Sequence, residues 1–239
     1  MAPISAPTLA HYQTLEFARI TALMQQWQNA SAIPLKVLDY GCGPGKYLRL
    51  FRSLGAEVVG VDLNPQYVKD GLNAGFSMQL ANETTFVSKQ FDVIFLSHLI
   101  EHLEPDVLIS LVPKLCEWLN DGGKLIIVTP TLGERFYHDV SHIRPYYPQS
   151  IRHAFGQQGA PLSYAATTLI ALTDIYFFND PYRTRTWRSF YVGTGLKRKL
   201  VNGINNTFDF AWKLSGGRFG SLASWLGVYQ KTTLDCQNP

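Results

Sequence analysis

The stretch Val37-Leu38-Asp39-Tyr40-Gly41-Cys42-Gly43-Pro44-Gly45-Lys46-Tyr47 runs from apolar residues through an acid into three glycines at alternate positions. Tyr47-Leu48-Arg49-Leu50-Phe51-Arg52 then takes up helical spacing. The order is strand, tight turn, helix. Glycines admit a ligand against backbone that a Cβ would block. The helix beyond them offers unpaired N–H groups to a polar or anionic ligand. A glycine turn of this kind is also common in plain βα loops, so a second feature is needed. It comes about twenty residues on, where Glu57-Val58-Val59-Gly60-Val61-Asp62 is a β-branched run ending in an acid. In a nucleotide crevice that position accepts hydrogen bonds from ribose hydroxyls. Gly41, Gly43, Gly45 and Asp62 together read as a nucleoside site.

The ligand is narrowed by two details. The third glycine comes too early for the dinucleotide spacing, and Asp39 directly precedes the turn. A carboxylate repels a pyrophosphate but suits an amino group or a sulfonium. An NAD-type oxidoreductase is therefore the weaker reading.

These residues resemble the first motif of class I S-adenosylmethionine-dependent methyltransferases, an acid followed by G-C-G-x-G and a second acid closing the next strand. The likeness continues through Phe91-Asp92-Val93-Ile94, Glu101-His102-Leu103 and Gly122-Gly123 with its apolar strand, and covers about Leu35 to Gly159. Around His142-Ile143-Arg144-Pro145-Tyr146 it is similar to a branch with quinone-pathway and cell-envelope glycan methyltransferases. The resemblance implies an α/β fold: a Rossmann-like, doubly wound, mostly parallel seven-stranded sheet with helices on both faces and a C-terminal insertion before the last strand. It implies S-adenosylmethionine as cofactor, held by Asp39, Gly41, Cys42, Gly43, Asp62, Leu63 and Ser97. Asn82 or Glu83 would contact the adenine where relatives often carry another acid.

Four segments follow: a helix in 1–34 that covers the cofactor cleft or only packs on the sheet, a cofactor-binding core over 35–178, a basic aromatic insertion over 179–226, and a closing strand and tail over 227–239. In the first helix Thr8 is a candidate N-cap, and Tyr12 and Arg19 would reach the cofactor's carboxylate if the helix covers it. The third strand is read at Phe76–Leu80. A helix over Asp106–Asn120 ends at Asp121-Gly122-Gly123, a buried strand takes Lys124–Thr129, a sixth strand falls within Ser163–Phe178, and the last is Gly227–Thr232. The loop from Pro130 to Pro148 is unusually polar and leaves a strand's carboxyl end, where α/β sheets bind ligands.

Methyl transfer to a hydroxyl needs a proton acceptor, and histidine is the usual one. His98, which follows the strand aimed at the site, and His142, from the overhanging loop, are the catalytic candidates. If this segment is helical, His98, Glu101 and His102 share a face and could hold a metal with His142 or His138; no metal ligand is assigned at this point. A small-molecule or glycan-type acceptor, methylated at oxygen, is the expected substrate. A non-catalytic module of the same fold is the alternative.

The chain has 239 residues, enough for one α/β domain with additions. Its 46% hydrophobic and 16% charged content exclude a disordered chain. Cys42, Cys116 and Cys236 lack metal-ligand spacing and read as free thiols of a reducing cytoplasm, with Cys42 a packing residue. The N-terminus has neither the basic start nor the apolar core of a signal peptide, and no apolar run reaches spanning length. The net charge of +3 hides a local excess. From Asp180 to Leu226, eight basic residues face Asp180 and Asp209, interleaved with Tyr182, Trp187, Phe190, Tyr191, Phe208, Phe210, Trp212, Phe219 and Trp225. That segment fits a small aromatic core of its own, a substrate cap, a dimer surface or a patch for anionic lipid. Nucleic acid ranks below these, because no known nucleic-acid module is visible.

Overall fold

A computed structural model describes residues 10–156 and 169–232. Thr8, Ser163–Thr168 and Cys236 lie outside the described residues. Seven strands form one sheet in the order β3-β2-β1-β4-β5-β7-β6. They are β1 (Lys36–Tyr40), β2 (Glu57–Asp62), β3 (Ser77–Leu80), β4 (Phe91–Ser97), β5 (Leu119–Pro130), β6 (Leu169–Asp180) and β7 (Ser221–Thr232). The pairs β1–β2, β1–β4, β2–β3 and β4–β5 are parallel. The reversal of strand order beside β1 is where such sheets open a crevice at their carboxyl ends.

Parallel strands covered on both faces need near-continuous apolar sequence. Val37 and Leu38, Ile94, Phe95 and Leu96, and Leu125 to Val128 supply it, and all are fully buried. Tyr47 and Phe51 of α2 (Lys46–Ser53) pack edge-to-face on Phe95, at centroid distances of 4.7 and 5.3 Å. Such pairs add about 0.5–1.5 kcal/mol each beyond burial. Asp92 closes the amino edge: its carboxylate accepts the Lys36 N–H at 2.9 Å and the Asn120 amide at 2.7 Å.

Two element boundaries differ from the sequence reading by more than two residues. The helix α4 (Pro105–Trp118) stops before Asp121-Gly122-Gly123, and β5 already begins at Leu119. The register slips between Phe91 and Val93, whose partners are Leu119 and Lys124, so residues 120–123 bulge from the ladder. Gly122 has φ +73°, which a bulge tolerates and a regular strand does not. The last strand begins at Ser221, ahead of the expected Gly227, because Ala223 to Tyr229 alternate between two buried faces. Trp225 therefore belongs to the sheet core, where its indole N–H donates to the Tyr146 carbonyl at 2.9 Å.

The chain divides into two compact units. The larger comprises Thr21–Tyr176 and Trp225–Pro239. The smaller comprises Met1–Ile20 and Phe177–Ser224 and contains α6 (Arg188–Val192), α7 (Gly195–Leu214) and the first half of α1 (His11–Ala30). Within it Trp212 donates to the Asn179 carbonyl and stacks edge-on with His11, Asn205 accepts from Thr184, and Glu16 accepts from Ser224.

Gly60 sits in β2 where a methyl group would lie 2.8 Å from Leu48 Cδ1 and 2.9 Å from Cys42 Sγ. Gly60→Ala is expected to cost about 1–3 kcal/mol, the usual effect of overpacking, measured as a lower urea midpoint at unchanged m-value.

Candidate active site

The glycine turn is shaped by hydrogen bonds to β2. Gly41 and Cys42 both donate to the Val61 carbonyl, at 2.7 and 3.0 Å, and Gly45 donates back to Cys42. Gly41, Gly43 and Gly45 all have positive φ, at +81°, +52° and +78°. At Gly41 a side chain would also strike Leu99, with Cδ1 at 2.9 Å, so this position is closed to any other residue twice over. Asp62 then ties the turn down: Oδ2 accepts the Gly43 N–H at 2.7 Å and Oδ1 accepts the Asn64 N–H at 2.9 Å. Each oxygen keeps a lone pair.

Beside this turn lies a cavity of about 360 Å³. Gly41, Asp62, Leu63 and Asn82 line it, as do Leu99, Leu103, Val107 and Leu111. An apolar wall with a carboxylate at one end suits a nucleoside, whose base is flat and whose ribose carries hydroxyls. Of the expected cofactor contacts, those four named first line the cavity. Gly43 reaches it through Asp62. Asp39 is fully buried at the end of β1, while Cys42, Glu83 and Ser97 do not line it. Cys42 is turned inward against Gly60, and burial raises its thiol pKa. Glu83 is exposed and donates only its N–H, to Leu80. The leucine and valine wall was not anticipated, although Leu99, Leu103, Val107 and Leu111 recur every fourth residue in the sequence.

Asp39 Oδ2 is buried without a hydrogen-bond partner. Burial, then the charge of Asp62, pushes the Asp39 carboxyl up to about 8. A cationic ligand near it would favour the ionised form. An orphaned buried acid, a carboxylate with spare lone pairs and a glycine-backed cavity together fit an adenosine that carries a positive charge.

At the carboxyl ends of β4 and β5 the structure gathers a second group around Glu101, which has no exposed surface. Its Oε2 accepts the Thr129 hydroxyl at 2.9 Å, and its Oε1 lies 3.3 Å from His98 Nδ1. Its main-chain carbonyl accepts the N–H groups of Ile143 and Arg144, which anchors the loop after β5. His98 and His102 do not share a helix as expected. His98 is in the left-handed region at φ +51°, with its N–H donated to the Val128 carbonyl, and only Ile100–His102 make a short 3₁₀ turn. Histidine is among the few side chains that visit this region with any frequency.

His142 joins the group from the loop. Its Nδ1 lies 2.6 Å from the Phe136 carbonyl, and its ring meets His102 edge-on at 4.8 Å. His102 Nδ1 lies 3.2 Å from the Ser141 carbonyl. A carbonyl only accepts, so Nδ1 is the donor in each contact, and the neutral form of either ring would present its lone pair at Nε2. Ligand atoms of Glu101, His102 and His142 lie within 4.8 Å of one another. His138 stands apart, paired with Glu134 at 3.4 Å.

A family model for a methyltransferase domain matches residues 9–168. The ribosomal protein L11 methyltransferase of Janthinobacterium is 31% identical over 117 residues, covering 45% of this chain and 36% of its own length. The ubiquinone biosynthesis O-methyltransferase of Chelativorans is 31% identical over 104 residues, or 40% of each chain. The chain thus spans well under half the length of these curated relatives. Among solved structures, an S-adenosylmethionine-dependent methyltransferase from Archaeoglobus fulgidus superposes with a TM-score of 0.58 at 19% identity, over 89% of this chain and 93% of its own. A putative sarcosine dimethylglycine methyltransferase from Galdieria sulphuraria gives 0.55 at 14%, over 91% and 86%. At those identities the likeness establishes the fold.

The buried acid at position 39 makes a pH prediction. The folded chain keeps a proton, up to about pH 8, that the unfolded chain releases near 3.8. The ligand-free protein therefore loses stability as pH rises through that window, and Asp39→Asn removes this slope. Urea midpoints measured across the window for both proteins check it.

Proposed function

The chain belongs to the S-adenosylmethionine-dependent methyltransferase family, and from that premise we propose that it methylates an oxygen of a small-molecule or glycan-type acceptor. The observation that carries the choice of oxygen is the pair His98 and Glu101. A hydroxyl must lose its proton to become a nucleophile, and here an imidazole faces a buried carboxylate at 3.3 Å. His98 is proposed to take the acceptor's proton, with Glu101 stabilising the imidazolium that results. His142, held through Nδ1 by the Phe136 carbonyl, is the second candidate base. The ubiquinone O-methyltransferase among the relatives supports oxygen as the acceptor atom.

When bound, S-adenosylmethionine supplies a methyl group already activated on a sulfonium. The chain's own residues then have only to bind and orient. Asp62 takes the ribose hydroxyls on its remaining lone pairs. Asn82 and the wall from Leu99 to Leu111 hold the adenine. Gly41 leaves the room, and Asp39 answers the positive charge. The segment 1–34 is the proposed cover of this cleft, and the chain is proposed to act in the cytoplasm. Among the described residues no helix is long and apolar enough to cross a membrane.

A second reading is favoured by the convergence of Glu101, His102 and His142. Two imidazoles oriented through Nδ1 by carbonyls, with the ligand atoms of all three groups, a buried carboxylate included, within 4.8 Å of one another, make a ligand set suited to zinc, manganese or iron. A divalent ion there would bind acceptor oxygens and lower their pKa. This set keeps Glu101, His102 and His142 of the residues the sequence offered and leaves out His98.

Calorimetric titration tests the first reading. S-adenosylmethionine is expected to bind the wild-type chain, and Asp62→Ala to weaken it by about 1–3 kcal/mol, the cost of stranding buried hydroxyls. No binding heat would leave the non-catalytic module. Elemental analysis of protein purified without chelator tests the second. Stoichiometric metal that disappears in His102→Ala/His142→Ala is its expected result, and metal-free wild-type protein refutes it.

A further inference from the structure

The smaller unit turns an apolar face of α7 outward. The inward face is fixed by Val201, Asn205 and Trp212, all buried. On the opposite side Leu196, Leu200, Phe210 and Leu214 are 82%, 61%, 67% and 78% exposed. With Gly203 and Thr207 they recur at steps of four and three, so they form one stripe along the helix, about 27 Å long at 1.5 Å per residue. Tyr191 and Val192 of α6, also exposed, extend it beyond the N-terminus. A surface helix ordinarily buries such a stripe and shows water its polar side. Here a second apolar stripe faces water.

The charge around the stripe has one sign. Between Asp180 and Thr232 the only other acid is Asp209. Asp209 pairs with Arg183 at 2.6 Å and Asp180 with Arg185 at 3.7 Å. Arg188, Lys197, Lys199, Lys213 and Arg218 remain exposed, and none of them meets a carboxylate among the described residues. Lys197 and Lys199 stand on either side of Leu196 and Leu200.

We infer that the outward face of α7 is a docking surface for an anionic membrane, with Leu196, Leu200, Phe210 and Leu214 entering the headgroup boundary and the flanking lysines meeting lipid phosphates. A helix lying in the interface plane needs an apolar stripe with basic margins, and α7 has both. The helix is not apolar enough to cross. A second copy of the chain is the poorer occupant, because pairing two such faces brings basic margins against one another, and like charges across an interface cost affinity. The inference stands apart from the methyl-transfer reading: it uses no residue of the cavity or of the histidine group.

Sedimentation of the full chain with lipid vesicles tests it. Binding is expected on phosphatidylcholine vesicles that carry phosphatidylglycerol, not on phosphatidylcholine alone, and should fade as salt is raised. Lys197→Gln/Lys199→Gln/Lys213→Gln should weaken partitioning on the order of a hundredfold, given about a fivefold contribution per basic residue. Leu196→Ser/Leu200→Ser/Phe210→Ser/Leu214→Ser should weaken it at least about tenfold with the circular dichroism unchanged, since every side chain replaced is exposed. Three results overturn the proposal. One is no binding to anionic vesicles. Another is binding that the lysine variant loses and the serine variant keeps, which marks a general affinity for polyanions. The third is a concentration-dependent dimer that the serine variant abolishes without vesicle binding, which gives the face to a second copy.

Discussion

Glu101 holds the carboxyl edge of the sheet together. It has no exposed surface, and its polar contacts run to three places: the carboxylate meets the Thr129 hydroxyl on β5 and the His98 ring at the end of β4, while its main-chain carbonyl takes the N–H groups of Ile143 and Arg144 in the following loop. A buried carboxylate is costly unless such partners surround it. Once they do, they fix one another. The loop cannot move without breaking its two hydrogen bonds to the Glu101 carbonyl. His142 is brought to His102 by this same anchoring, one residue before Ile143.

The first half of the site is built by a different device. In the glycine turn, main-chain N–H groups do the work: two converge on the Val61 carbonyl and one on Asp62. Side chains contribute mostly by their absence. This explains why the turn was legible in the sequence. Glycine spacing, the acid at 39 and the acid at 62 are local signals whose meaning does not depend on distant residues. The same holds for β1, β2 and β4, whose apolar runs could only be buried parallel strands.

What was not legible depended on partners far along the chain. The start of β5 at Leu119 follows from a register shift against β4, which no local pattern announces, and Gly122-Gly123 reads like a helix stop. Trp225 reads as one more aromatic among basic residues until β7 places it in the core under Tyr146. His98 and His102 looked like neighbours on a helix because spacing says nothing about a single residue in the left-handed region. The wall of Leu99, Leu103, Val107 and Leu111 was present in the sequence as a four-residue recurrence, but an apolar stripe reads first as core, and only the fold shows that part of it faces a cavity.

The position of Cys42 gives the turn a reporter of its own. Its sulfur is enclosed against Gly60, and burial holds the thiol in its unreactive protonated form. An electrophile can reach it only when the turn lifts from β2. The rate at which a thiol reagent labels this residue is then a clock for the breathing of the glycine turn, and any ligand that seals the turn should slow that clock without touching the sulfur.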